Sequence, residues 1–266
     1  MKFSFSTLGC PDWKWTEILS TAKDLGYNGI EIRGIGDDIY APDIKIFNSE
    51  NIETTKKSLL DKDLTIACLS SSCYLHLEDK DYLSEAKSYI DLADKLNAKG
   101  VRVMGETSPE PSDLADDDKF IKALIVLCDY AKDKFPDIYI ETNGVYAKSE
   151  RLLSIIKAVN SPKLKVIWDF QHPVRNYNEP VEVTYNNLKE YIAHVHIKDS
   201  VVRSGKLEYK MVFSGDLPIK EALTLLKADD YQGFISLEWV KRWNRELEDP
   251  GIVFSNFIYS IKSFLA

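Results

Sequence analysis

Glu141, Asp169, His196 and Glu238 each close a short apolar run: Ile138-Tyr139-Ile140, Val166-Ile167-Trp168, Ala193-His194-Val195 and Ile235-Ser236-Leu237 respectively. Three carboxylates and one imidazole make an oxygen-rich donor set suited to a divalent cation. The four stand 28, 27 and 42 residues apart. Side chains so distant meet only if the fold returns each strand end to one place. A parallel α/β barrel does this, because the C-terminal ends of its strands surround one mouth and its chemistry sits there.

The neighbours of these residues sharpen the picture without closing it. Asp169-Phe170-Gln171-His172 puts a histidine three residues after a strand-end aspartate. Both can reach one cavity, though an aspartate at that position is also a favoured helix cap. His194, His196 and Lys198 alternate along one strand and share a face. In a barrel that face points inward, where histidines need a metal or a hydrogen-bond partner. His196, nearer the strand end, is the better ligand, His194 the better hydrogen-bonded core residue, and Lys198 a rim group for a substrate hydroxyl or a carboxylate. Glu31 and Arg33 alternate on the second strand and read as an internal ion pair, with substrate contact by Glu31 the alternative. Glu106 ends the fourth strand and is a further, uncommitted candidate, and His76 reads as a loop histidine rather than a ligand. Trp13, Trp15, Trp239 and Trp243 fall at strand ends or loops, where indoles suit sugar rings but also fill cores.

Such convergence requires regular elements, and the chain supplies them. Strand-like runs at Lys2–Leu8, Gly29–Gly34, Leu64–Ser71, Gly100–Gly105, Asp137–Asn143, Lys163–Phe170, Ile192–Asp199 and Gly233–Val240 alternate with amphipathic helices. Strands separated by single helices indicate βα units and a parallel sheet. Helices are expected over Trp15–Leu25 with Gly26 as C-cap, over Tyr82–Leu96 with Asn97 following, and over Lys220–Lys227 with Pro218 near its first turn. The interval from His196 to Glu238 is about 14 residues longer than the others. Val201–Tyr209 within it, centred on Ser204-Gly205, reads as a β-hairpin or lid. A doubly wound nucleotide-binding sheet is disfavoured, since the turn Leu8-Gly9-Cys10-Pro11-Asp12 lacks the GxGxxG pattern. The expected architecture is one (β/α)8 TIM barrel over residues 1–266 with a hairpin insertion after strand 7.

Composition limits the function classes. The 266 residues are 44% hydrophobic and 29% charged, which suits a soluble globular chain. A net charge of -8 argues against a nucleic-acid partner, which needs a basic stripe. The longest apolar stretches, such as Ala123–Cys128, are too short to span a bilayer. Cys10, Cys68, Cys73 and Cys128 are widely spaced without a CxxC pair, and the first residues lack a signal-peptide apolar core. A cytoplasmic location is expected.

The order Glu141, Asp169-Phe170-Gln171-His172, His196-Ile197-Lys198-Asp199 and Glu238 resembles the xylose isomerase-like TIM barrel superfamily of sugar isomerases and epimerases. The opening Gly9-Cys10-Pro11-Asp12-Trp13 and the segment Ser214-Gly215-Asp216-Leu217-Pro218 extend the resemblance over essentially the whole chain. It implies that Glu141, Asp169, His196 and Glu238 bind one divalent metal, that Glu141 and Glu238 form the acid/base pair, and that His172 contacts substrate. Arg203 lies near, but offset from, the position of a substrate-binding arginine in the epimerase branch. Where ketose epimerases carry a second glutamate six residues past the first ligand, this chain has Ala147, which departs from that branch. The endonuclease branch needs three metals and extra histidines, and Phe213–Leu217 contains none.

The expected activity is a divalent-metal-dependent isomerisation or epimerisation of a sugar or cyclitol, with Mn2+ first and Mg2+, Co2+ or Zn2+ as alternatives. The metal would chelate a carbonyl oxygen and its neighbouring hydroxyl, acidifying a carbon-bound proton. One glutamate would remove that proton to give an enediolate and the other would return it. His172, Lys198, Arg203 and Glu31 are the expected substrate contacts. An inosose dehydratase-type lyase is the near alternative, ahead of a phosphodiesterase or a non-catalytic sugar-binding barrel. A small sugar or polyol is the expected partner, with no nucleic acid and no membrane. The oligomeric state is open, a homo-oligomer included.

Overall fold

The computed structural model describes residues 1–112 and 115–266. Its strands are β1 (Lys2–Ser6), β2 (Gly29–Ile32), β3 (Thr65–Tyr74), β4 (Gly100–Met104), β5 (Asp137–Glu141), β6 (Leu164–Asp169), β7 (Ile192–Ile197), β8 (Asp199–Arg203), β9 (Lys206–Lys210) and β10 (Phe234–Leu237). β1 to β7 and β10 pair in parallel and close into an eight-stranded barrel, with β10 sealing the gap between β7 and β1. β8 and β9 form a separate antiparallel hairpin, with Arg203 opposite Lys206. The expected barrel and its inserted hairpin are both present.

The helices are α1 (Trp15–Asp24), α2 (Ile52–Leu60), α3 (Tyr82–Leu96), α4 (Asp117–Ala131), α5 (Ser149–Val159), α6 (Gln171–Tyr177), α7 (Val181–Leu188), α8 (Ile219–Ala228) and α9 (Pro250–Leu265). Local chemistry sets their ends. Asp81 caps α3 by accepting from the Ser84 N–H, and Asn97 ends it in the left-handed region at φ 53°. One departure from the single-helix pattern lies between β6 and β7, which are joined by both α6 and α7. Asn178 turns left-handed at φ 49° and Pro180 starts the next helix, so the chain cannot run through as one. Among the described residues no helix is long and apolar enough to cross a membrane. All four cysteines are buried and free.

Period-2 alternation divides each strand between two environments. Outward residues such as Val101, Val103, Ile138, Ile140, Val195, Ile197, Ile235 and Leu237 join the main core between barrel and helices. Burial of each such side chain contributes about 1.5–3 kcal/mol. The inward residues are different in kind. Cys68, Tyr139 and Ile167 form a small apolar plug inside the barrel, with Ala193 packed against it. The Tyr139 ring fills the place that a Cβ on Gly100 would occupy, so only glycine allows this plug. Toward the C-terminal mouth, the next inward layers hold Glu31, Ser70, Arg102, Glu141, Asp169, His194, His196 and Glu238, all buried. A barrel interior this rich in charge is costly unless its groups answer one another.

Candidate metal centre

Register fixes the first contacts. β6 and β7 pair Asp169 with His196, and β7 and β10 pair His196 with Ser236, two residues before Glu238. One donor atom from each of Glu141, Asp169, His196 and Glu238 lies within 4.8 Å of the others. Nδ1 of His196 is the centre of this arrangement. It stands 3.2 Å from Glu141 Oε1, 3.6 Å from Glu238 Oε1 and 3.9 Å from Asp169 Oδ2.

The other imidazole nitrogen sets the tautomer. Nε2 of His196 lies 3.0 Å from Glu31 Oε2, and an ionised carboxylate only accepts, so Nε2–H donates there. His194 Nε2 donates to the same oxygen at 3.0 Å, and Ser70 Oγ donates to Glu31 Oε1 at 2.7 Å. Nδ1 is thereby turned toward three carboxylates. Burial opposes a charged imidazole, yet Glu31, Glu238 and Glu141 raise the His196 pKa well above the ordinary histidine value. Nδ1–H therefore donates to Glu141 Oε1 unless a cation displaces that proton and takes the lone pair. A cation between these atoms answers both the lone pair and the carboxylate charge. Donors spaced this way fit an ion with bonds of about 2.0–2.2 Å. Carboxylate support behind a ligating histidine is the usual means of orienting it.

Asp169 serves two ends with two oxygens. Oδ1 accepts from the Gln171 N–H, the first of α6, at 3.1 Å, while Oδ2 faces the cluster. Thr142 clamps its backbone, donating from Oγ1 to the Asp169 carbonyl and accepting from the Asp169 N–H, each at 2.8 Å. The hydrogen bond to the helix start and the ligand position thus coexist.

The glutamates also divide their oxygens. Glu141 Oε2 pairs with Arg102 Nη1 at 2.7 Å, and Glu238 Oε2 meets Lys198 Nζ. Lys198 also contacts Asp169 Oδ2. Burial alone would raise the Glu141 carboxyl, but the Arg102 and His196 charges hold it well below the usual carboxylate range. Glu238 shows the same contest, with burial overcome chiefly by Lys198 and His196. Burial disfavours the Lys198 charge, yet Asp169 and Glu238 raise its pKa well above the ordinary lysine value.

A cavity of about 310 Å³ opens above the cluster, and its walls include Glu141, Glu238, His172, Lys198, Arg33, Arg102, Tyr74, Tyr209 and Trp243. His172 stands 3.6 Å from Asp169 Oδ2 through Nε2, and burial lowers its pKa. Two expected substrate contacts lie elsewhere. Glu31 is beneath the cluster with both oxygens engaged by His194, His196 and Ser70, outside the cavity wall. Its expected ion pair with Arg33 does not form, because those histidines take its charge while Arg33 Nη2 donates to Ser72 Oγ. Arg203 sits at the hairpin tip with 70% of its side chain exposed, 3.9 Å from Glu208. The hairpin reaches the cavity through Tyr209 instead, which is hydrogen-bonded to Gln171.

Glu106 holds loops together, bonding Ser112 and accepting from the Val145 N–H. Of the four tryptophans placed near the mouth, Trp243 lines the cavity. Trp239 is buried, with Nε1 donating to the Glu248 carbonyl, and Trp13 and Trp15 pack on Phe254 and Phe47. Arg102 escaped the sequence reading. Its signal is a lone charge on the inward parity of Gly100-Val101-Arg102-Val103-Met104.

A family model described as xylose isomerase-like TIM barrel matches residues 19–252. Fructoselysine 3-epimerase from Shigella flexneri is 25% identical over 240 residues, covering 85% of this chain and 85% of that protein. Among solved structures, a probable 3-DHS dehydratase, AsbF, involved in petrobactin synthesis from Bacillus anthracis superposes with TM-score 0.79 at 19% identity, covering 98% of this chain and 99% of that one. An IOLI protein with a bound zinc atom gives TM-score 0.80 at 16% identity, with 99% of each chain covered.

Proposed function

This chain belongs to the xylose isomerase-like TIM barrel family, and on that premise we propose that it is a metal-dependent isomerase or epimerase of a sugar or cyclitol. The observation that carries the reading is the convergence of Glu141, Asp169, His196 and Glu238 around His196 Nδ1. The resemblance to a 3-epimerase and to a zinc-holding barrel supports it. Those four residues would hold one divalent ion, with Mn2+ the first choice and Mg2+, Co2+ or Zn2+ compatible with the donor set. When bound, such an ion supplies Lewis-acid polarisation of a carbonyl and a neighbouring hydroxyl oxygen.

The remaining chemistry falls to the chain itself. Glu141 and Glu238 both line the cavity, so one can take a carbon-bound proton and the other return one. Arg102 and Lys198 keep both carboxylates ionised, which suits the accepting role. Protonation of a carboxylate during the reaction then has to be stabilised by the departure of its partner's charge toward substrate. His172, held neutral by burial, can donate to or accept from a substrate hydroxyl. Tyr209 adds a hydroxyl from the hairpin and helps exclude water.

One observation favours a second reaction on the same site. The Lys198 ammonium contacts both Asp169 and Glu238, where it could protonate a departing hydroxyl beside the carbon acid. That would make the chain a dehydratase. Both readings share proton abstraction beside a carbonyl and differ in the next step.

The test is a panel of ketoses, inososes and their acidic and phosphorylated forms incubated with metal-loaded protein in D2O. Exchange of a carbon-bound proton with retention of the carbon skeleton supports isomerisation or epimerisation. Loss of water with a new C=C absorbance supports elimination. Absence of exchange, of isomeric product and of water loss across substrates that demonstrably bind would overturn both.

A further inference from the structure

Arg33 is a buried cation without an anionic partner. It follows β2, is 7% exposed, and lies in the wall of the cavity above the metal cluster. Nη2 donates to Ser72 Oγ, and the guanidinium carbon sits 5.7 Å from the centre of the Trp243 ring. Nη1 is buried with no hydrogen-bond partner. Among the described residues no carboxylate forms an ion pair with it. Burial opposes its charge, and so does the neighbouring Arg102. Leaving a guanidinium donor dry and unpaired costs more than an ordinary lost hydrogen bond. An indole on one face and a serine on one nitrogen hold the fork in place with its other edge free. A planar fork of that kind matches the two oxygens of an oxyanion.

The charge inventory points the same way. Four carboxylates meet in the barrel, from Glu31, Glu141, Asp169 and Glu238, and three permanent cations accompany them, from Arg33, Arg102 and Lys198. With His196 neutral and a divalent ion bound, the site carries one positive charge in excess. Arg102 and Lys198 are committed to the ligand carboxylates. The surplus therefore falls on Arg33.

Resting on the metal-dependent reading above, we infer that the substrate carries an oxyanion, a carboxylate or a phosphate, at the end remote from its reacting carbonyl, and that Arg33 receives it against Trp243. Arg33 is then the residue that selects acidic over neutral polyols.

The experiment uses full-length protein loaded with Mn2+, whose manganese content is measured on every sample. Calorimetry compares D-fructose, D-fructose 6-phosphate and D-fructuronate, which differ only at C6. At least one acidic ketose should bind about tenfold or more tightly than D-fructose, and which one does so identifies the oxyanion. Arg33→Met should abolish that preference while leaving manganese uptake and D-fructose affinity in place, and Arg33→Lys should restore part of it. Manganese uptake by Arg33→Met reports an intact barrel. Absence of any acidic preference in the wild type, or its survival in Arg33→Met, overturns the inference and leaves the metal centre standing. Failure of the wild type to take up manganese undoes both.

Discussion

At Glu141 and Glu238, one carboxylate oxygen faces His196 and the other meets a cation, Arg102 for the first and Lys198 for the second. Replacing either by glutamine keeps the shape but removes a charge and a proton acceptor. Each variant should lose about 10²–10⁴-fold in turnover, the usual worth of general acid–base catalysis, with a native circular dichroism spectrum. Near-normal rates in either would reduce that glutamate to a structural role. Glu31 makes a contrasting case, since it touches His196 from below and no cavity atom. Glu31→Gln should weaken metal affinity by about 10–100-fold through the loosened imidazole, although all four proposed ligands remain. A chelator competition titration measures it, and unchanged affinity would show that His196 needs no such support. His172→Ala should spare the metal and alter KM or kcat, separating positioning from coordination.

Among the elements, the hairpin of β8 and β9 offers the sharpest comparison. Its base is fixed by Asp199, whose carboxylate accepts from the Ser200 and Gly215 N–H groups at 2.8 and 2.9 Å. A Cβ on Gly215 would collide with that carboxylate, so the turn needs glycine by close approach. Tyr209 reaches the cavity while Arg203 points to solvent. Tyr209→Ala should therefore raise KM severalfold and Arg203→Ala should leave it unchanged, in steady-state assays with the metal content verified. An equal effect of both would mean that the hairpin closes further over bound substrate. The strand pattern was largely legible because alternation reports burial directly: Asp137–Asn143 against β5 at Asp137–Glu141, and Lys163–Phe170 against β6 at Leu164–Asp169. The convergence of the four strand-end residues was legible for the same reason. What was hidden depends on partners rather than pattern. Arg33 and Glu31 alternate within the expected strand Gly29–Gly34, so an ion pair was the natural expectation. The two histidines that take the Glu31 charge instead come from β7, 163 and 165 residues from Glu31. Likewise nothing local distinguishes Tyr209, which reaches the cavity, from Arg203 at the tip.

Over the whole molecule, ordinary apolar packing outside the barrel supports a highly charged interior, and this links stability to pH. Burial favours the protonated forms of Glu31, Glu141 and Glu238, but their cationic neighbours prevail and depress all three. A depressed carboxylate contributes stability above its unfolded value, near about 4.3, and loses it as pH falls through the folded value. The urea midpoint should thus begin to decline below about pH 6.5, where the unfolded chain protonates the buried neutral His172 and His194, and fall steeply below about pH 4.3. Glu31→Gln should make that fall shallower; an unaltered acid limb would place the linkage elsewhere. A metal has two possible seats, because a second group of potential ligands, Glu31, His194 and His196, shares His196 with the first. Anomalous scattering from crystals of the manganese-loaded protein distinguishes the two. A single peak is expected at about one ion per chain among Glu141, Asp169, His196 and Glu238, with His196 bound through Nδ1. A peak among Glu31, His194 and His196, or none within reach of Glu141 and Glu238 in protein that has taken up manganese, would contradict it.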